Sequence, residues 1–155
     1  MKNNIYVIGS SNTDMVIKSD YIPKPGETII GGNFYTFQGG KGANQAVAAA
    51  KLGGKVTFVC RVGDDYLGKN SIKKYETYDI NTEFIGIEQN EHTGVALIMV
   101  DERGENLISV SSGYGILPVT LTLCSLKEEY NGIEHIIGFL LFRTNLMSLR
   151  LEDTL

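Results

Sequence analysis

The chain has 155 residues, 43% of them hydrophobic, and 14 basic against 18 acidic side chains give a formal net charge of −4. That is enough apolar material for one globular domain with a core, and the mixed charge leaves no basic stripe of the kind that grips nucleic acid. Cys60 and Cys124 stand far apart without a Cys-x-x-Cys or Cys/His cluster, which argues against a zinc module or a disulfide scaffold and predicts two buried thiols.

Met1 to Asn4 runs straight into Ile5-Tyr6-Val7-Ile8, too short for the apolar region of a secretory signal, and no stretch approaches the roughly 18 apolar residues of a membrane span. A cytoplasmic chain is expected. Ile5 to Ile8 is a buried strand emptying into the polar loop Gly9-Ser10-Ser11-Asn12, with Asp14 just beyond it. Met15-Val16-Ile17 and Thr28-Ile29-Ile30 flank Pro23-Lys24-Pro25-Gly26, which predicts a hairpin-like excursion over 15–37.

Gly42 to Leu52 is the strongest helix signal, Ala-rich and stopped by Gly53-Gly54. Val56 to Cys60 reads as a strand. Asp64 and Asp65 supply an N-cap for a helix over 66–78 with Leu67, Ile72 and Tyr75 near one face. Thr82 to Ile87 and Gly94 to Val100 are expected strands, the second turning at 101–106 into Leu107 to Val110 as another hairpin. The alternation is α/β, a parallel core sheet with antiparallel strands attached. Beyond Gly113 the pattern weakens, although 135–142 has the run of a core strand and 117–126 alternates without a helix cap.

Chemistry concentrates at Gly39-Gly40-Lys41-Gly42-Ala43-Asn44, where a Gly-rich turn opens a helix and presents backbone amides, a cation and a side-chain amide together. The cluster is neither a phosphate-binding P-loop nor the dinucleotide pattern Gly-x-Gly-x-x-Gly. By itself it is equally a structural turn packing a helix on a sheet. Asn12 and Asp14 add weight, because they follow the first strand at the carboxyl edge where open α/β sheets bind ligands. A carboxylate able to accept from two adjacent hydroxyls, two amides and an ammonium suit a neutral polyol. His92 and His135 have no nucleophile or metal spacing around them and read as structural, and the tyrosines are assigned to packing.

Together, Gly9-Ser-Ser-Asn-Thr-Asp14, Pro25-Gly-Glu27, Phe37-Gln-Gly-Gly-Lys-Gly-Ala-Asn-Gln-Ala46, Val62-Gly-Asp-Asp-Tyr-Leu-Gly68 and Thr93-Gly-Val-Ala-Leu-Ile98 resemble the PfkB carbohydrate kinase family, its ribokinase branch in particular. The family's first signature is met by Gly39, Gly40, Asn44, Ala46, Gly53 and Gly63, and the likeness covers about 4–113. It implies a ribokinase-like, Rossmann-like fold, here its N-terminal half, whose mostly parallel sheet is flanked by helices. A small β-sheet lid would come from 15–37 and 93–110. It further implies that Asn12, Asp14, Gly40, Lys41 and Asn44 bind the hydroxyls of D-ribose, that ATP supplies the transferred phosphoryl with Mg2+ and a monovalent cation, K+, and that a homodimer forms through the lid.

The family's Gly-Ala-Gly-Asp motif, which carries the catalytic base, does not occur in these residues, and the nucleotide and cation loops belong to the half that follows it. The chain alone is therefore expected to be inactive, with 114–155 a divergent or aberrant tail. The alternatives are a non-catalytic sugar-binding or dimerisation module, an inactive remnant, or another sugar or nucleoside kinase of the family. A dinucleotide-binding fragment is disfavoured, because the first strand leads into Ser-Ser-Asn rather than a Gly-rich helix start.

Overall fold

The computed structural model describes residues 4–113, 136–142 and 145–148. Expectations for 117–126, Cys124 and His135 lie outside them.

Strand β1 (Asn4–Ile8) takes a central place because Val7 and Ile8 bury almost completely. The chain then leaves the core as β2 (Asn12–Lys18) and returns as β3 (Asn33–Gly39), giving the expected excursion. The partner segment differs from expectation. Residues 28–30 form no strand and Ile30 is fully exposed; β2 pairs antiparallel with β3 instead, Met15 opposite Thr36.

Helix α1 (Lys41–Lys51) buries Gly42, Ala43 and Ala46, small residues that let it lie close on β1 and on β4 (Lys55–Gly63). Gly53, at φ 84, ends it as expected. Strand β4 lies parallel to β1, Val7 opposite Phe58, and contributes Val56, Phe58, Cys60 and Val62 to the core. Cys60 is the buried thiol predicted for it, its pKa pushed up by desolvation.

Helix α2 (Tyr66–Glu76) ends two residues earlier than the pattern indicated, and its buried face is more polar than expected. Gly68, Ser71 and Tyr75 bury fully, whereas Leu67 and Ile72 are only half-buried. The Tyr75 ring meets Phe58 edge-on at 5.3 Å. Packing does not account for every tyrosine, since Tyr66 is 78% exposed.

Strand β5 (Ile85–Glu88) starts later than the expected 82 and runs parallel to β4. Strands β6 (Gly94–Val100) and β7 (Asn106–Ser111) form the second hairpin, and the Asp101 carboxylate ties its turn by accepting from the Arg103 and Glu105 amides at 2.9 and 3.0 Å. The expected core strand near 135–142 is β8 (Ile136–Phe142), parallel to β1, followed by β9 (Asn145–Ser148).

Two sheets result, β5-β4-β1-β8-β9 in the core and β3-β2-β6-β7 beside it. The strands of the small sheet overlap the segments 15–37 and 93–110 without filling them, and they reach further at Asn12, Gly39 and Ser111. Its β2–β6 pair is parallel, which hairpin reading alone did not provide. Among the described residues no helix is long and apolar enough to cross a membrane.

Asp65 is the N-cap of α2 as expected: its carboxylate accepts from the Gly68 amide at 2.8 Å, and from the Thr93 amide and hydroxyl at 2.9 and 2.6 Å. Burial alone would raise its pKa, but these hydrogen bonds carry it below the ordinary value of 3.8. Asp65→Ala is expected to cost at least about 1 kcal/mol in thermal or urea unfolding, the usual loss of a cap. Because the folded pKa is depressed, this contribution is present above pH 3.8 and fades as pH falls through the lower folded value, so wild type and variant should converge in strong acid.

Candidate functional site

The site starts where β1 runs out. Gly9 donates its amide to Val59 O at 3.1 Å, which turns the chain across β4, and Ser10 O then accepts from the Ala43 amide at 3.1 Å. This places the loop 9–12 against the start of α1. Asn12 and Asp14 follow on β2, two residues apart and so on one face of the small sheet.

Asn12 Nδ2 donates to Asp14 Oδ1 at 2.6 Å, which leaves Oδ2 and the remaining lone pairs able to accept from a ligand. Asp14 is half-buried, and desolvation raises its pKa above 3.8 despite the lowering by Asn12. Its charged form is therefore costlier to hold than that of a carboxylate at the surface.

The glycines of the corner serve a purpose that their spacing did not reveal. A Cβ on Gly39 would fall 2.2 Å from Asp14 Oδ1, and one on Gly40 would fall 2.5 Å from Ser10 O and 2.9 Å from Asn12 Oδ1. The space they leave is filled by the Asp14 carboxylate, the Asn12 side-chain amide and the Ser10 carbonyl. Gly40 also sits at φ 97, a left-handed conformation that strains any side-chain-bearing residue, as it leads into α1.

Helix α1 begins with Lys41 and has neither a side-chain cap nor an acid in its first turn. A cation at the positive end of a helix opposes the local dipole, an arrangement that costs stability and makes sense where the ammonium serves a ligand. Lys41 and Asn44 are both exposed, Asn44 one turn further along the helix.

All of the expected residues, Asn12, Asp14, Gly40, Lys41 and Asn44, line one cleft of about 390 Å³, within the usual range for small-molecule sites. Its walls include residues the sequence reading missed: Ser10, Ser11, Ala96, Ile98, Ile108, Val110 and Ser112. The register explains them, since Asp14 lies beside Ala96 and Ala96 beside Val110, while Ile98 lies beside Ile108. The alternation of β6 and β7 was the available signal, because every second residue shares the face of Asp14. Carboxylate and amides thus face an apolar wall, the amphipathic lining a sugar ring requires.

Other candidates stand apart from the cleft. Asp64 pairs with Lys69 at 2.7 Å and Asp65 caps α2. His92 Nδ1 lies 2.9 Å from Thr93 O and its Nε2 lies 3.4 Å from Ser111 Oγ, the satisfied structural histidine that was expected. No group of three or more His, Cys, Asp or Glu side chains among the described residues comes together to hold a metal ion.

The family model for pfkB family carbohydrate kinases matches residues 2–116. The chain belongs to the PfkB family of carbohydrate kinases. Among curated relatives of this PfkB chain, a ribokinase of Dictyostelium discoideum is 43% identical over 113 residues, covering 73% of this chain and 36% of that protein. A Haemophilus influenzae ribokinase is 45% identical over 113 residues, with 73% and 37% covered. The chain thus spans little more than a third of these relatives. Among solved structures, a Giardia lamblia ribokinase superposes with a TM-score of 0.72 at 35% identity, covering 82% of this chain and 38% of that one. An Arabidopsis thaliana ribokinase complexed with ribose and ATP gives 0.66 at 35% identity, covering 74% and 37%. The ribokinase-like fold expected from the sequence is therefore present.

Proposed function

We propose that residues 4–113 are the sugar-binding part of a ribokinase-type enzyme that transfers the γ-phosphoryl of ATP to the 5-hydroxyl of D-ribose. The observation that carries this reading is the convergence of Asn12, Asp14, Gly40, Lys41 and Asn44 on one cleft, with the Asp14 carboxylate held by Asn12. Likeness to the Arabidopsis ribokinase complexed with ribose and ATP supports the ligand class.

In this reading Asp14 accepts from two adjacent ring hydroxyls. Asn12 fixes its rotamer, Asn44 donates and accepts at a further hydroxyl, and Lys41 donates to a hydroxyl or ring oxygen. Ala96, Ile98, Ile108 and Val110 cover the apolar face of the ring, and the small sheet acts as a lid whose closure keeps water from competing for the phosphoryl group. The homodimer would form through this lid, where Phe34, Tyr35, Leu97 and Leu107 are exposed.

ATP, Mg2+ and K+ belong to the whole enzyme. The described residues supply no carboxylate cluster that fits a divalent ion. Since the 155 residues hold no Gly-Ala-Gly-Asp, the chain alone is proposed to bind ribose without consuming ATP.

Titration calorimetry with D-ribose tests the reading, and saturable heat is the expected result. Absence of heat at millimolar sugar would remove the sugar site, and ribose-dependent ATP consumption would remove the claim of inactivity. Affinity should also fall on acidification, because protonating Asp14 costs it an acceptor. Its pKa is raised, so the loss should begin at higher pH than the ordinary 3.8 implies.

A further inference from the structure

Helix α2 contributes nothing to the lining of the cleft, yet it and its N-cap hold the roots of three of the four strands of the small sheet, β2, β3 and β6. Tyr75 OH and Ser11 Oγ lie 2.7 Å apart, and Ser11 immediately precedes Asn12, the first residue of β2. Ser71 Oγ donates to Gln38 Oε1 at 2.6 Å, one residue before β3 ends at Gly39. Asp65 accepts from the amide and hydroxyl of Thr93 at 2.9 and 2.6 Å, one residue before β6 begins at Gly94.

Ser11, Ser71, Tyr75 and Thr93 are each at most 1% exposed. On the α2 face Ser71 and Tyr75 are polar groups that burial makes costly unless paired; Ser71 Oγ also reaches Leu67 O of its own helix at 2.9 Å, and together with Asp65 at the N-cap the two connect to three different strand roots. A helix that served only to cover the core would need none of these bonds. Moreover, Ser11 also lines the cleft, so the Tyr75 hydroxyl lies one residue from the first sugar contact.

We propose that Asp65, Ser71 and Tyr75 are positioning residues that make α2 the anchor of the small sheet, fixing Asn12 and Asp14 beneath the apolar wall formed by β6 and β7. The consequence for ligand affinity rests on the sugar-site reading; the anchoring does not. Movement of the sheet over the cleft would then pivot at these bonds, whereas the core sheet stays fixed.

The test is amide hydrogen exchange on the 155-residue chain without sugar, comparing wild type with Tyr75→Phe, Ser71→Ala and Thr93→Val. Tyr75→Phe keeps the ring against Phe58 and removes the hydroxyl alone. Protection in β2, β3 and β6 is expected to fall at least about fivefold, the scale of one buried hydrogen bond, with β1 and residues 55–62 of β4 changing less than about twofold; Gly63 is left out of the reference because its amide donates to Thr93 Oγ1 at 3.1 Å. Thr93→Ser should restore the wild-type pattern. Ribose affinity should drop by about the same fivefold in the first three variants. Equal loss of protection in both sheets, or none in the small sheet, would overturn the proposal by reducing these bonds to general core stability. If Tyr75→Phe does not fold, Ser71→Ala and Thr93→Val carry the same comparison. If wild type gives no heat with ribose, the sugar reading falls while the exchange pattern still decides the anchoring.

Discussion

Asp14→Ala is expected to weaken D-ribose binding by at least about 100-fold, enough to remove measurable heat at sugar concentrations that saturate wild type. Hydrogen bonds to a charged acceptor contribute about 1.5–3 kcal/mol each, and in the proposed pose this carboxylate accepts two. Truncation also deprives Asn12 Nδ2 of its acceptor at 2.6 Å, so the amide loses its fixed orientation. The fold itself should survive, because Asp14 is half-buried and the small residues Gly39 and Ala96 lie beside it. Circular dichroism and thermal unfolding close to wild type would separate loss of the site from loss of the protein. A smaller arm of the experiment uses 2-deoxyribose on wild type: removing one of two adjacent hydroxyls should cost about tenfold, a single charge-assisted bond. If Asp14→Ala bound ribose within a few-fold of wild type, the carboxylate would not be the hydroxyl acceptor and the assignment of the cleft would fail.

Much of this site was legible because its signals are local. The run Gly39 to Asn44 reports a backbone constraint, and Asn12 and Asp14 report a strand end; both depend only on neighbours in sequence. What escaped were consequences of contact between distant segments. The need for Gly39 lies in the Asp14 carboxylate across the β2–β3 pair, and no pattern near residue 39 encodes it. Strand β3 was misplaced towards Thr28-Ile29-Ile30 for a related reason. Periodicity reports one-sided burial, but residues 33–37 are exposed on both faces and so carry no alternation, while the apolar run at 28–30 ends in a fully exposed Ile30. The polar face of α2 escaped similarly, since Ser71 reads as a solvent-facing residue until Gln38 is brought against it.

Gly42→Ala gives the sharpest test of how the corner is built, because two local principles assign it opposite signs. Helix propensity favours Ala over Gly by up to about 1 kcal/mol, which predicts a more stable protein. The packing predicts the reverse: a Cβ on Gly42 would fall 2.7 Å from both Cα and C of Gly9 and 2.9 Å from the Ser10 amide nitrogen. These are backbone atoms held by the Gly9 hydrogen bond to Val59 O and by β1 itself, so no side chain can swing aside to relieve the contact. Overpacking of this kind costs about 1–3 kcal/mol, and the expected net result is a lower melting temperature, by about 2–4 °C per kcal/mol for a chain of this size. The start of α1 would have to lift from the loop, stretching the 3.1 Å bond between the Ala43 amide and Ser10 O. Lys41 and Asn44 would move with it, away from Asn12 and Asp14, so ribose affinity should fall together with stability. Scanning calorimetry and sugar titration on the same preparation measure both. A melting temperature equal to or above that of wild type would mean that the close approach of Gly9 and Gly42 does not set the geometry of the cleft.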